Sequence, residues 1–394
     1  MKGGRRKDRR VGGVSVTGAR LGKRYISSSS GDDDLQLSPC LFAYDAAAAA
    51  PVLYGFNLNG SWQKKKPDFC PKCSSGDGKP PRDLTPKATS SKWNPNYTMA
   101  VALGSSVYLL GGVMDEEEEK MHHDVSPTRA VYYFDTKRPL EEGWIRGPDM
   151  INGRGKDGRA VVIEGKIYVF GGNDCEKAPR PWAEVLDPVK MKWKALPRPP
   201  RRSYLDEGFL CAPPVAYDGG PGEGKKIIVG EEGKYVYDLN SEEWEQLSPE
   251  LQRALKFSGN LAGVGSFLYW TDQGMLFALN MNNPEEKYSA RIKGYPLPFY
   301  RDNWCYLDEP QLLYLGGNRF CLLKMKELRR DRTKVCLYKL RVSKRDGGFK
   351  AYIVGSQTHI FDQPLASEQG LVLEGLLHGV KKENLTKKRK RILV

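Results

Sequence analysis

Residues 158–197 read GRAVVIEGKIYVFGGNDCEKAPRPWAEVLDPVKMKWKALP, and this stretch decides the fold. Apolar runs bounded by turn formers predict four short strands: 159–163, a turn at Glu164-Gly165, 166–170 ending on Gly171-Gly172, then 184–187 and 192–195. Ile167, Tyr168, Val169 and Phe170 make a continuous β-branched and aromatic run, as expected of a strand covered on both faces. The glycine pair follows where the chain must leave a crowded sheet through dihedrals that a Cβ disfavours. Asp187-Pro188 is turn chemistry before the outer strand, and Trp193 on that strand is a broad apolar plate to lay on a neighbouring unit.

A unit this thin leaves its faces uncovered, so the sequence should repeat it. Upstream, residues 99–112 read MAVALGSSVYLLGG, followed by AVYYFD and by Trp144 in EEGWIRGPDM. Downstream, residues 215–230 read VAYDGGPGEGKKIIVG, followed by KYVYDLNSEEWEQL, in which Trp244 takes the outer place. Trp193 follows Asp187 by six positions, and Trp244 follows Asp238 by the same six. A fourth copy from Leu261 has lost the glycines (AGVGSFLYW, GMLFALN, EEKYSARI) and carries Tyr288 for Trp. A fifth from Gln311 has LLYLGG, FCLLKMKEL, KVCLYKLRV and FKAYIV. Near the start, CLFAYD, PVLYGFNLN and SWQKK supply three strands of a unit whose fourth is missing. Positions 112, 172, 230, 270 and 317 lie 60, 58, 40 and 47 residues apart, a spacing that fits a repeat of about 50.

The pattern resembles the kelch repeat: a hydrophobic strand ending in Gly-Gly, an aromatic or aliphatic strand, and a Trp at fixed offset. The resemblance covers residues 37–362. Insertion-rich copies with a Leu-Asp-Pro turn are most similar to plant kelch-like proteins, including relatives of F-box/kelch proteins, although the N-terminal segment shows no apolar helical hairpin to serve as an F-box. The resemblance implies an all-β, six-bladed kelch-type β-propeller over 37–375, while composition marks 64–96 as a linker or insertion, 1–36 as a disordered basic, Ser-rich segment and 376–394 as a basic tail. A propeller closes its ring to avoid an exposed edge, so part of 355–375 is expected to pair with 40–62.

The net charge of +14 points first to nucleic acid or an acidic surface. Its distribution changes that inference. Residues 1–30 hold nine basic side chains and one acidic, and residues 381–394 hold seven and one, so the two ends carry the whole excess. The neutral body argues against nucleic-acid binding by the ring and leaves it as an alternative for the tails. Lys387, Lys388, Arg389, Lys390 and Arg391 form a compact run suited to an import receptor, which predicts a nuclear or cytoplasmic protein. The Arg-rich first 26 residues also fit an organelle transit peptide, against which Gly3-Gly4 and Gly12-Gly13 weaken an amphipathic helix. No apolar run approaches the ~18 residues of a membrane span, and eight irregularly spaced cysteines suggest a reducing compartment.

Chemistry-bearing clusters are sparse. Cys70-Pro71-Lys72-Cys73 is half a zinc site without its second pair, and His122-His123-Asp124 beside Glu116–Glu119 reads as a solvated acidic loop. Neither a nucleophile elbow nor a phosphate-binding loop occurs, so no catalytic residue, metal or cofactor is expected. The kelch resemblance implies a non-enzymatic protein-binding scaffold, with a link to ubiquitin-ligase substrate recognition; a metal-dependent enzyme or specifier-type protein on the same fold is the alternative. The expected partner-binding residues lie in two loops: Arg198, Arg201 and Arg202 in PRPPRRSY, and Tyr300, Arg301 and Trp304 in the aromatic segment 295–306.

Overall fold

The computed structural model describes residues 37–45, 50–56, 82–85, 98–113, 127–155, 158–172, 181–199, 213–229, 235–255, 261–295, 310–328, 331–345 and 348–374. In chain order the strands are β1 (Leu37–Asp45), β2 (Ala50–Gly55) and β3 (Arg82–Asp83); β4 (Met99–Leu103), β5 (Ser106–Leu110), β6 (Val131–Asp135) and β7 (Ile145–Arg146). Next come β8 (Arg159–Ile163), β9 (Lys166–Phe170), β10 (Ala183–Asp187) and β11 (Lys192–Ala195), then β12 (Val215–Asp218), β13 (Lys225–Val229), β14 (Tyr235–Asp238) and β15 (Trp244–Gln246). After the helix α1 (Pro249–Ala254) follow β16 (Ala262–Val264), β17 (Phe267–Asp272), β18 (Met275–Asn280) and β19 (Lys287–Lys293), and finally β20 (Gln311–Tyr314), β21 (Arg319–Leu328), β22 (Arg332–Arg345), β23 (Gly348–Phe361) and β24 (Leu365–Glu374).

These strands form six antiparallel four-stranded units, two of which are joined edge to edge in one eight-stranded sheet. The first unit is ordered β24-β1-β2-β3, so the end of the chain supplies its innermost strand. The ladder runs from Leu37↔Glu374 to Asp45↔Leu365, which assigns the closing role to 365–374 within the expected 355–375. The outer strand of this unit is a correction: it lies at Arg82–Asp83, inside the segment read as linker, where Tyr54↔Asp83 and Gly55↔Arg82 pair and Leu84 is buried. The piece SWQKK lies outside the described residues.

In the third unit every expected strand forms, with the third beginning one residue earlier, at Ala183. Ile163 pairs with Lys166 across a two-residue turn whose residues both have positive φ, Glu164 at 49° and Gly165 at 72°. That geometry matches the twist of an antiparallel pair. Gly172 needs its lack of a side chain twice over, since φ is +70° and a Cβ there would lie 2.5 Å from the backbone of Gly158. Helix α1 starts on a capped turn: Ser248 accepts from the Leu251 amide and Pro249 occupies the first turn.

The hydrophobic core sits at the seams between units. Phe42 and Leu53 of the first unit meet Leu109, Phe134 and Trp144 of the second; Leu110 and Val131 meet Val169 and Trp193; Phe170 and Trp182 meet Tyr235 and Tyr237. Ile228 and Val236 then meet Leu268 and Trp270, Leu276 and Ile292 meet Phe320 and Leu340, and Leu323, Val335 and Leu337 return to Leu41 and Phe56. The innermost strands approach one another in the same cycle, β24, β4, β8, β12, β16, β20 and back to β24. Each unit thus lends an apolar face to both neighbours, which is how thin repeats acquire a core.

Candidate interaction face

Four antiparallel strands bring the chain back to the end where it began, so every link from an outer strand to the next innermost strand emerges at one end of the ring. The links between second and third strands emerge there too. The opposite end carries tight turns such as Glu164-Gly165 and Gly265-Ser266.

Both loops expected to bind partners belong to the first end: 196–214 joins β11 to β12, and 294–310 joins β19 to β20. Arg198 is exposed there. The residue before it is fixed, because Trp244 Nε1 donates to Pro197 O at 2.8 Å and ties the loop's start to the next unit. Tyr295, the first aromatic of the other loop, packs inward, half-buried and edge-on to Tyr338 at 5.4 Å between ring centroids. Arg201, Arg202, Tyr300, Arg301 and Trp304 lie outside the described residues, as do Lys387–Arg391, Cys70, Cys73, His122, His123 and Asp124.

The floor of this end is stiffened by a group that sequence patterns did not single out. Arg154 and Glu184 are both fully buried. Arg154 Nε and Nη2 donate to Glu184 Oε1 at 3.0 and 2.7 Å, while its remaining N–H groups reach the carbonyls of Gly171, Trp182 and Pro181. Glu184 also accepts from the amides of Ile151 and Asn152. Burial lowers the pKa of the guanidinium, and Glu184 opposes that shift. The Arg154 carbonyl accepts from Gly112 N, so the group links the second and third units through their glycine pairs. The available signals were a large cation between Gly153 and Gly155 and a carboxylate inside an otherwise apolar strand. Chemically this is a structural clamp, since no described group leaves it room to touch a ligand.

Among the described residues, no three His, Cys, Asp or Glu side chains are grouped so as to hold a metal ion, and no helix is long and apolar enough to cross a membrane. The chain matches the Kelch motif over residues 154–200, which runs from Arg154 through the whole third unit. An F-box/kelch-repeat protein of Arabidopsis thaliana is 26% identical over 280 residues, covering 68% of this chain and 64% of the relative. A second from the same organism is 27% identical over 273 residues, covering 66% and 60%. The chain therefore spans less than two thirds of the length of these relatives. A solved structure titled "Structure of YjhT" is 12% identical, covering 76% of this chain and 90% of its own, at a TM-score of 0.39. The chain thus carries a Kelch motif on the best-formed of its four-stranded units and is similar to kelch-repeat proteins along about two thirds of its length.

Proposed function

We propose that this protein is a non-enzymatic, six-bladed scaffold that binds other proteins through the end where the links between units emerge. The observation that carries the reading is that the links between units, long in all but the last, emerge together at one end on a clamped floor, with Arg198 exposed beside a fixed Pro197. Rigid frameworks holding variable loops suit recognition, and Arg, Tyr and Trp are the residue types that dominate protein interfaces. The F-box/kelch-repeat names of its relatives support a place in ubiquitin-ligase substrate recognition. The run Lys387–Arg391 is proposed as a nuclear-import signal.

The test is affinity capture with the full chain, followed by reconstitution with the purified partner. Replacing Arg198, Arg201 and Arg202 by Ala, or Tyr300, Arg301 and Trp304 by Ala, is expected to abolish binding, whereas Glu164→Ala and Val189→Ala at the opposite end leave it intact. Binding that survives both loop variants and fails with the opposite-end variants would reverse the assignment. Import is tested separately by imaging a fluorescent fusion in which Lys387–Arg391 are replaced by Ala; an unchanged nuclear fraction refutes that part alone.

A further inference from the structure

His359 is the one histidine among the described residues, and it stands at the seam between the last unit and the first. The strand register explains its surroundings. Val335 lies opposite it on β22 and Met325 opposite Val335 on β21, so the imidazole sits in an apolar row facing the first unit. There it meets Phe56 at 5.2 Å between ring centroids. Two residues on, Phe361 meets Tyr54 at 4.6 Å, and Gln363 Nε2 donates to the Tyr54 hydroxyl at 3.0 Å. Thr333 Oγ1 donates to Gln363 O and accepts from Leu365 N, which fixes the crossover into β24. Gly370 N donates to Gln311 Oε1 between the two innermost strands. All of these ties are uncharged. His359 is 7% exposed, and its Nε2 is buried without a hydrogen-bond partner.

We propose that His359 makes closure of the ring acid-sensitive: a proton taken up here puts an unpaired cation into an apolar seam, loosening the last unit from the first and, through the crossover, the β24–β1 ladder. The described titratable side chains nearby do not offset that charge. On β21, Glu327 is exposed one row outward, while Cys321 on β21 and Lys339 on β22 lie two rows inward. Lys334 and Cys336 occupy the opposite face of β22. From the first unit, Asp83 is exposed with its Oδ1 accepting from Thr85 N, and Tyr54 is a phenol accepting from Gln363. Burial holds the imidazole below its ordinary value of 6.5. The seam is therefore at full strength above that value and weakens as pH falls from it through the lower folded-state value.

The proposal is tested by hydrogen exchange on the full chain at about pH 7.5 and about pH 5.5, the window in which an imidazole changes charge, with rates corrected for intrinsic pH dependence. In the wild type, peptides covering 37–45 and 365–374 are expected to lose protection severalfold at the lower pH, while peptides covering 159–187 do not. His359→Gln, which cannot take up the proton, is expected to abolish that selective loss. Equal seam protection at both pH values in the wild type, or an undiminished loss in His359→Gln, overturns the proposal. Should His359→Gln fail to fold, the wild-type imidazole resonance decides: a titration midpoint below that of free histidine supports the proposal, and one at or above it refutes it.

Discussion

At the scale of single residues, Arg154 shows how a buried cation is kept fully partnered. Its five N–H groups all find acceptors, four of them on the strand ends it joins or on Glu184 itself, so neither desolvated charge is left alone. Removing one partner should then cost far more than removing both. Arg154→Met is expected to destabilise the protein by about 3–5 kcal/mol because Glu184 stays buried, and adding Glu184→Gln should restore a good part of that. Urea unfolding measures both, and a single variant as stable as the double would show that the carboxylate is not the source of the cost. Glycine offers a second contrast, since Gly165 and Gly172 have nearly the same φ but different surroundings. Gly165→Ala meets nothing within 4 Å and should cost only the left-handed backbone penalty of about 1–2 kcal/mol. Gly172→Ala also drives a Cβ into Gly158, so its loss should clearly exceed that in the same unfolding measurement.

At the scale of elements, the recurring tryptophan does for a seam what the glycines do for a turn. Trp193 Nε1 donates to Pro148 O at 2.9 Å and Trp244 Nε1 to Pro197 O at 2.8 Å, each reaching from an outer strand to the chain leaving the preceding unit. Trp244 also packs against Phe170, Trp182 and Tyr237. Trp244→Phe should keep the plate and lose the hydrogen bond, at about 1 kcal/mol, while Trp244→Ala should lose about 3–5 kcal/mol. Thermal unfolding separates them, and equal losses would mean that packing contributes little. Where the repeat is strong, as at 158–197, the strands were legible almost to the residue, because alternating burial and tight turns leave a local imprint. The rest was hidden for definite reasons. β3 is two residues long, Arg82-Asp83, beside prolines in a polar stretch, and only its partner β2 makes it a strand. The parallel pairing of Ile292 with Ala351 joins the fifth and sixth units across their outer edges, and no local pattern encodes a partner so far along the chain. Tyr288, standing where the other copies have Trp, turns to Phe349 and Lys344 of that neighbour and not to the unit before it. Of the expected binding residues, Arg198 was legible as a loop cation, whereas the clamp beneath it required knowing which carbonyls converge on position 154.

At the scale of the whole molecule, closure is what turns a string of similar sheets into one framework. In an open array each unit is stabilised by its immediate neighbours and the terminal ones expose an apolar face. Here β24 removes both open ends at once, by pairing along the length of β1 and by setting Leu371 among Phe42, Leu53 and Leu109 of the first seam. Ending the chain after Pro364 should therefore do more than subtract one strand. The Leu37–Asp45 edge and the apolar faces of the first and last units become available to other chains, so the shortened protein should self-associate and unfold without a single sharp transition. A chain ending at 375 keeps β24 and should remain monodisperse and cooperative. Size-exclusion chromatography and calorimetry on the pair make the comparison. If the chain ending at Pro364 ran as a compact species with an unaltered transition, β24 would be an accessory, and the stiffness that lets one end of the ring present its loops would have to come from the individual sheets.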